Sequence, residues 1–165
     1  MRTRLAILDD AEALRAIYNV EVTTSTVTFD LVPRSLEEQR RWLSQRSGAH
    51  AVLVAEADID GVPVIVGYGS LSPYRDRPAY TTSVEDSVYV HRDHQGKGVG
   101  KLLLGGLVEL ATAHGFHAVF ARIVEGHAVS IGLHKSLGFE LVGTEREVGR
   151  KFGRWLDVVV MQRLL

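Results

Sequence analysis

The chain has 165 residues, 45% of them apolar, with 19 Lys and Arg against 20 Asp and Glu and no cysteine. That length supplies one ordinary globular core, so a single domain over 1–165 is expected. The balanced charge gives no field to draw a nucleic acid or an acidic membrane, and the missing cysteines exclude disulfides, thiolate nucleophiles and cysteine-bound metal centres.

No apolar run reaches the ~18 residues of a membrane span. The start, "MRTRLAILDD", has neither the apolar stretch nor the cleavage site of a signal peptide, so a cytoplasmic protein is expected. "RTRLAIL" reads as a first strand. Asp9 with Glu12 forms a capping box that opens a helix through Val20, with Leu14, Ile17 and Tyr18 on its buried face. After the irregular "TTSTVTFDLVP", Ser35 and Glu38 repeat that signature and open a helix carrying Leu36 and Trp42 to about Arg46. Two β-rich runs in "AVLVAEADIDGVPVIVGYGSLS" flank an Asp-Gly turn, which predicts a hairpin, with Pro63 placing its second strand near an edge or starting it late. "PYRDRPAYTT" is a loop. A strand from Ser83 to Val90 follows, then a helix from about Gly98 to His114 ended by Gly115, and the strand "AVFARIV". A helix from Ala128 to Leu137 ends at Gly138, and two strands cover roughly Glu140 to Glu147 and Trp155 to Leu164. The order β-α-α-β-β-β-α-β-α-β-β predicts an α/β protein with a mixed sheet and helices on its faces.

The glycines at 96, 98 and 100 follow a strand and open a helix, where unpaired backbone N–H groups and the helix dipole make an anion site. A phosphate-bearing ligand suits such a site. The dinucleotide fingerprint would need glycine where Lys101 stands, and the P-loop sequence with Lys followed by Ser or Thr is absent.

What remains, Gln95-x-x-Gly98-x-Gly100, resembles the acyl-CoA pyrophosphate loop of the GNAT superfamily of N-acetyltransferases. "SVEDSVYVHRDHQGKGVG", "SIGLHKSLGF" and "VGRKFGRWLDVVVMQ" together resemble its phosphinothricin acetyltransferase branch and the amino-acid N-acyltransferases that take methionine sulfone and methionine sulfoximine. The resemblance runs from "IYN" and "TSTVTF" to the last strand. It implies the GNAT fold, with two central parallel strands splayed so that acetyl-CoA enters between them. It implies further that Val88, Tyr89 and Val90 flank the thioester and pantetheine and that Gln95, Gly96, Lys97, Gly98, Val99 and Gly100 hold the pyrophosphate. Ser130 and His127 are implied beside the cofactor, the latter where the family usually has an asparagine. A homodimer is implied as well.

Strand alternation sets Glu85, Ser87 and Tyr89 on one face and Val84, Asp86 and Val88 on the other. A carboxylate, a hydroxyl and a phenol thus line one side of the strand entering the loop. An α-amino group with a pKa about two units above neutrality costs roughly 2.7 kcal/mol to deprotonate at pH 7. Glu85 is placed to act as the base that recovers much of this, directly or through a water, a role that the resemblance also implies. His134, where this branch carries histidine and many relatives tyrosine, is the second catalytic candidate: second base, substrate contact or acid toward the thiolate. The N–H of Tyr89 or of its neighbour is expected to face the developing oxyanion.

Substrate selection is expected in the loops. Arg75 and Arg77 flank Asp76, and a guanidinium fork there would hold an α-carboxylate. Phe29, Tyr74 and Tyr80 resemble aromatic pocket walls, with Ser87 beside the substrate. His91 with His94 and His114 with His117 form HxxH pairs that lack a third converging ligand, so no metal is expected. The expected activity is acetyl-CoA-dependent N-acetylation of a small amino acid or analogue. A protein or peptide N-acetyltransferase would need an open groove instead of a carboxylate clamp. A non-catalytic acyl-CoA-binding module would keep the loop and dispense with Glu85.

Overall fold

The computed structural model describes all of residues 1–165. Its elements are β1 (Arg2–Leu5), α1 (Ala11–Thr24), α2 (Leu36–Ser44), β2 (Val52–Ile59), β3 (Val62–Pro73), β4 (Ser83–Val90), α3 (Val99–Ala113), β5 (Ala118–Val124), α4 (Ala128–Ser136), β6 (Glu140–Lys151) and β7 (Arg154–Leu164). The expected order of strands and helices is the observed one.

All seven strands form one mixed sheet in the order β1-β2-β3-β4-β5-β7-β6, antiparallel except where β4 runs parallel to β5. That parallel pairing covers only Ser83↔Ala118, Val84↔Val119 and Glu85↔Phe120. Beyond Glu85 the two central strands separate. Each face of the sheet carries its own core. On one, α3 lays Leu103, Leu104 and Leu107 against Val66, Val84, Val119 and Met161. On the other, Leu14, Ile17, Tyr18 and Val22 of α1 pack with Leu43, Val54 and Tyr68. Complete burial of each leucine is worth about 1.5–3 kcal/mol, so both helices are fixed firmly on either side of the gap.

Local chemistry explains where the elements begin. In α2 the capping box forms as expected, Ser35 Oγ accepting from the Glu38 N–H at 3.2 Å and the Glu38 carboxylate from the Ser35 N–H at 2.7 Å. The start of α1 differs by one residue: Asp10, not Asp9, leads it. The Asp10 carboxylate accepts the Ile7 N–H at 2.8 Å and is gripped by both terminal nitrogens of Arg4, while Asp9 faces solvent. The helix also continues past Val20 to Thr24, because Glu21 and Val22 are buried in its last turn.

Pro63 lies in the hairpin arm where β3 still pairs with β2 but no longer with β4, so its missing N–H is not called on by that side. At the far edge, β6 runs to Lys151 instead of stopping at Glu147. A register shift between Glu145 and Gly149, with Glu147 at φ +49° and its N–H donated to Asp157 at 2.7 Å, absorbs the irregular residues and lets pairing resume.

Candidate active site

The gap between β4 and β5 opens into a cavity of about 570 Å³ whose wall includes Glu85 to Val90, residues 94–96 and 98–101, Ala121 to Val124, and His127, Ser130 and His134 of the α4 region. Glu21, Val27, Thr28 and Phe29, at the end of α1 and in the loop after it, contribute the other side.

Hydrogen-bond alternation decides which backbone groups of β4 face this gap. The His91 N–H bonds the Val66 carbonyl at 2.9 Å, and the β3 register then assigns Tyr89, Ser87 and Glu85 to the same side. The N–H of Tyr89 is therefore turned to Tyr68 and is not available to an oxyanion. Its neighbours Val88 and Val90 direct their backbone groups toward the open side. Tyr89's ring is held edge-on to Tyr18 and stacked on Tyr68, at centroid distances of 5.0 and 5.3 Å. Burial pushes its hydroxyl well above the ordinary phenol range and that of Tyr18 up to about 12, so both stay neutral.

At the gap's narrow end, Glu85 is half-buried and accepts no hydrogen bond from protein. Burial raises its pKa, and the nearby positive charges of Arg122 and Arg75 oppose that without cancelling it. At the wide end, α3 begins directly after Gly98, whose φ of +83° is costly for any side chain. A Cβ there would meet no protein atom within 4 Å, so the glycine answers to backbone shape and to whatever ligand approaches the helix end. This cradle of backbone amides fits a pyrophosphate. Gln95, Gly96, Gly98, Val99 and Gly100 line the cavity as expected, but Lys97 does not: Lys101, one turn into the helix, occupies the wall in its place.

On the α4 side, both ring nitrogens of His134 are engaged, Nδ1 2.7 Å from the Ser130 carbonyl and Nε2 3.1 Å from Asp86 Oδ1. His127 lines the cavity from the position before α4, its Nε2 3.0 Å from Thr26 Oγ1, which ties the loop after α1 to this side. That loop is pinned again by the Tyr18 hydroxyl, 2.8 Å from Thr28 Oγ1 and donating to Asp30 at 2.6 Å, and by buried Lys151, whose Nζ donates to the Thr28 carbonyl at 2.8 Å. Phe29 is thereby presented to the cavity.

The structure does not bring Tyr74, Arg75, Arg77 and Tyr80 into the cavity wall. Tyr74 stacks on Phe120 at 4.1 Å and meets Tyr80 edge-on at 5.5 Å, and the Arg75 guanidinium lies over both rings. Arg77 is exposed ahead of a short turn at Pro78–Tyr80. These residues form an aromatic and basic rim. Sequence reading missed Asp86, Lys101 and Arg122, the last tied to Glu145 at 2.8 Å. His91 and His94 face each other with ring centroids 5.7 Å apart, and no group of three or more metal-binding side chains gathers anywhere.

The Acetyltransferase (GNAT) domain family matches residues 4–160. The chain belongs to the GNAT acetyltransferase family. A relative from Pseudomonas paraeruginosa, an L-methionine sulfoximine/L-methionine sulfone acetyltransferase, is 41% identical over 154 residues, which cover 93% of this chain and 88% of the relative. Among solved structures, a phosphinothricin acetyltransferase from Sinorhizobium meliloti in complex with acetyl-CoA superposes with TM-score 0.92 at 40% identity, covering 99% of this chain and 87% of the other. A ribosomal-protein-alanine N-acetyltransferase from Brucella melitensis superposes with TM-score 0.95 at 41% identity over the full length of both. As a GNAT enzyme the protein is an acetyl-CoA-dependent N-acetyltransferase, and the splayed central strands are those of the GNAT fold.

Proposed function

We infer that this GNAT enzyme acetylates the α-amino group of a small free amino acid or analogue, with methionine sulfone, methionine sulfoximine and phosphinothricin as the acceptor class. The observation that carries the reading is Glu85: a half-buried carboxylate without a protein partner, its pKa raised by burial, at the last paired residue before the central strands part. Acetyl-CoA supplies the activated acetyl thioester. The loop from Gln95 to Gly100 binds its pyrophosphate through amides at the start of α3, and the backbone of Val88 and Val90, the Val90 carbonyl accepting from the Gln95 side chain at 3.4 Å, flanks the arm of the cofactor. Ser130 and His127 border it from α4. Glu85 takes the proton of the attacking amine, and the N–H of Val88 or Val90 is the donor left for oxygen charge once Tyr89 is turned away.

Phe29 and Ser87 border the acceptor, while Arg75 and Arg77 hold its carboxylate from the rim, with Tyr74 and Tyr80 as the aromatic bed beneath Arg75. The rim is completed in a homodimer. Support for this comes from Leu141, Val142, Val148, Phe152 and Trp155, all at least half exposed along β6 and its turn into β7.

The likeness to a ribosomal-protein-alanine N-acetyltransferase favours a second reading, acetylation of a peptide N-terminus. Release of coenzyme A thiol separates the two when the enzyme is offered methionine sulfone, methionine sulfoximine, phosphinothricin and alanine-initiated peptides. Turnover with the three free amino acids and none with the peptides is expected; the reverse order would replace the first reading by the second.

A further inference from the structure

Arg122 shares a face of the sheet with Glu85. The register pairs Glu85 with Phe120, paired residues share a face, and strand alternation brings Arg122 and Val124 to that face as well. Arg122 thus stands about 7 Å beyond Phe120 along β5, where continued pairing of the central strands would have set it beside Ser87. Of the lysines and arginines only Lys101 and Arg122 line the cavity, and Lys101 belongs to α3 beside the glycine loop. Arg122 is therefore the cation on the acceptor side. Burial raises the pKa of Glu85, and Arg122 is the foremost charge opposing that rise, ahead of Arg75.

Glu145 on β6 holds the guanidinium. Nη1 donates to Oε1 at 2.8 Å and Nη2 meets Oε2. That tether uses two of the five N–H groups and leaves the Nε–H and one on each terminal nitrogen without a protein acceptor. The side chain keeps 30% of its surface open. Val124, Val158 and Phe29 make the nearby wall apolar. A fixed fork of donors next to an apolar surface suits a tetrahedral sulfur or phosphorus that carries both oxygen and methyl. Methionine sulfone and methionine sulfoximine present such a group uncharged, and phosphinothricin presents it as an anion.

We propose that Arg122 is a specificity-determining residue, tethered by Glu145 so that its free N–H groups meet the oxygens on the acceptor's side chain while Arg75 and Arg77 take the carboxylate at the rim. This deepens the reading of the protein as an amino-acid acetyltransferase and rests on it. With its amine at Glu85, the acceptor lies between two sets of cations. Tyr74, which carries the Arg75 guanidinium over its ring, stacks on Phe120, and Arg122 follows on the same face of β5. The interval from Phe120 to Arg122 is within the reach of an extended side chain and one hydrogen bond. Hydrogen bonds between two ions are stronger than those with one neutral partner, so an anionic phosphinate gains more from Arg122 than a sulfone does.

The test is kcat/KM for phosphinothricin and for methionine sulfone at saturating acetyl-CoA, in wild type and in Arg122→Met. Phosphinothricin should lose at least about tenfold and methionine sulfone only about two- to threefold, so that the ratio of the two shifts toward the sulfone. A change in the proton affinity of Glu85 falls on both acceptors alike and cancels from that ratio. Should the single variant fail to fold with Glu145 left unpaired, Arg122→Met combined with Glu145→Gln makes the same comparison without the stranded carboxylate. The calorimetric Kd for acetyl-CoA should stay near wild type; a Kd raised about tenfold would place Arg122 on the cofactor side and overturn the proposal. An unchanged ratio, whether both acceptors lose equally or neither loses, overturns it too. Wild-type enzyme that acetylates peptides and neither amino acid would instead overturn the functional reading, and the role of Arg122 with it.

Discussion

Glu85 makes a test of function and stability from one side chain. Its folded carboxyl binds a proton more tightly than in the unfolded chain, since burial disfavours the charge. Stability linked to that proton is fully present below the unfolded pKa of about 4.3 and is lost as pH rises through the raised folded value. Glu85→Gln should therefore melt at a higher temperature than wild type near neutral pH, with the difference vanishing below about pH 4. Its kcat should fall by about 10²-fold or more at pH 7 and recover as the amine deprotonates in alkali. Thermal melts at both pH values and a pH–rate profile check the two halves. Glu85 was legible because strand alternation and the adjoining glycine loop both point to it. Asp86 was not: the same alternation assigned it to the apolar side with Val84 and Val88, and its partner is 48 residues away. The stacking partner of Tyr74 was equally hidden, because Phe120 comes from a strand beyond the intervening helix.

At the level of elements, two glycines act for different reasons. Gly98 needs its left-handed backbone, so Gly98→Val costs about 1–2 kcal/mol in strain and places a branched side chain where the pyrophosphate approaches α3. Calorimetry should show the Kd for acetyl-CoA rising at least about tenfold with the fold retained; an unchanged Kd removes the loop assignment. Gly149 is a matter of space. A Cβ there would clash with the ring of Phe29, which would have to turn away from its place in the cavity wall. Gly149→Ala should therefore raise the acceptor KM several-fold while leaving acetyl-CoA affinity near wild type, measured by steady-state kinetics and calorimetry on the same preparation. Capping residues and apolar periodicity made α2, α3 and α4 readable to within a residue or two. The end of α1 and the second half of β6 were not, because tertiary burial of Glu21 and Val22 and a mid-strand irregularity set them, and neither leaves a local pattern.

For the molecule as a whole, element order was readable but sheet order was not. That β7 inserts between β5 and β6, and that β4 parts from β5 after three residue pairs, are long-range outcomes of packing. The exposed apolar band on β6 and its turn into β7 predicts a particle of two chains in sedimentation velocity, and Trp155→Glu should shift it toward one chain and raise the acceptor KM. A monomeric wild type at micromolar concentration would remove the partner from the account. The central claim is acetyl transfer to an amine whose owner also presents a free carboxylate. It is tested most directly by kcat/KM for methionine sulfone against methionine sulfone amide under saturating acetyl-CoA. Loss of the charge leaves a guanidinium without its anion, so the amide should react at least about 10²-fold less well. Equal turnover of acid and amide would contradict the account.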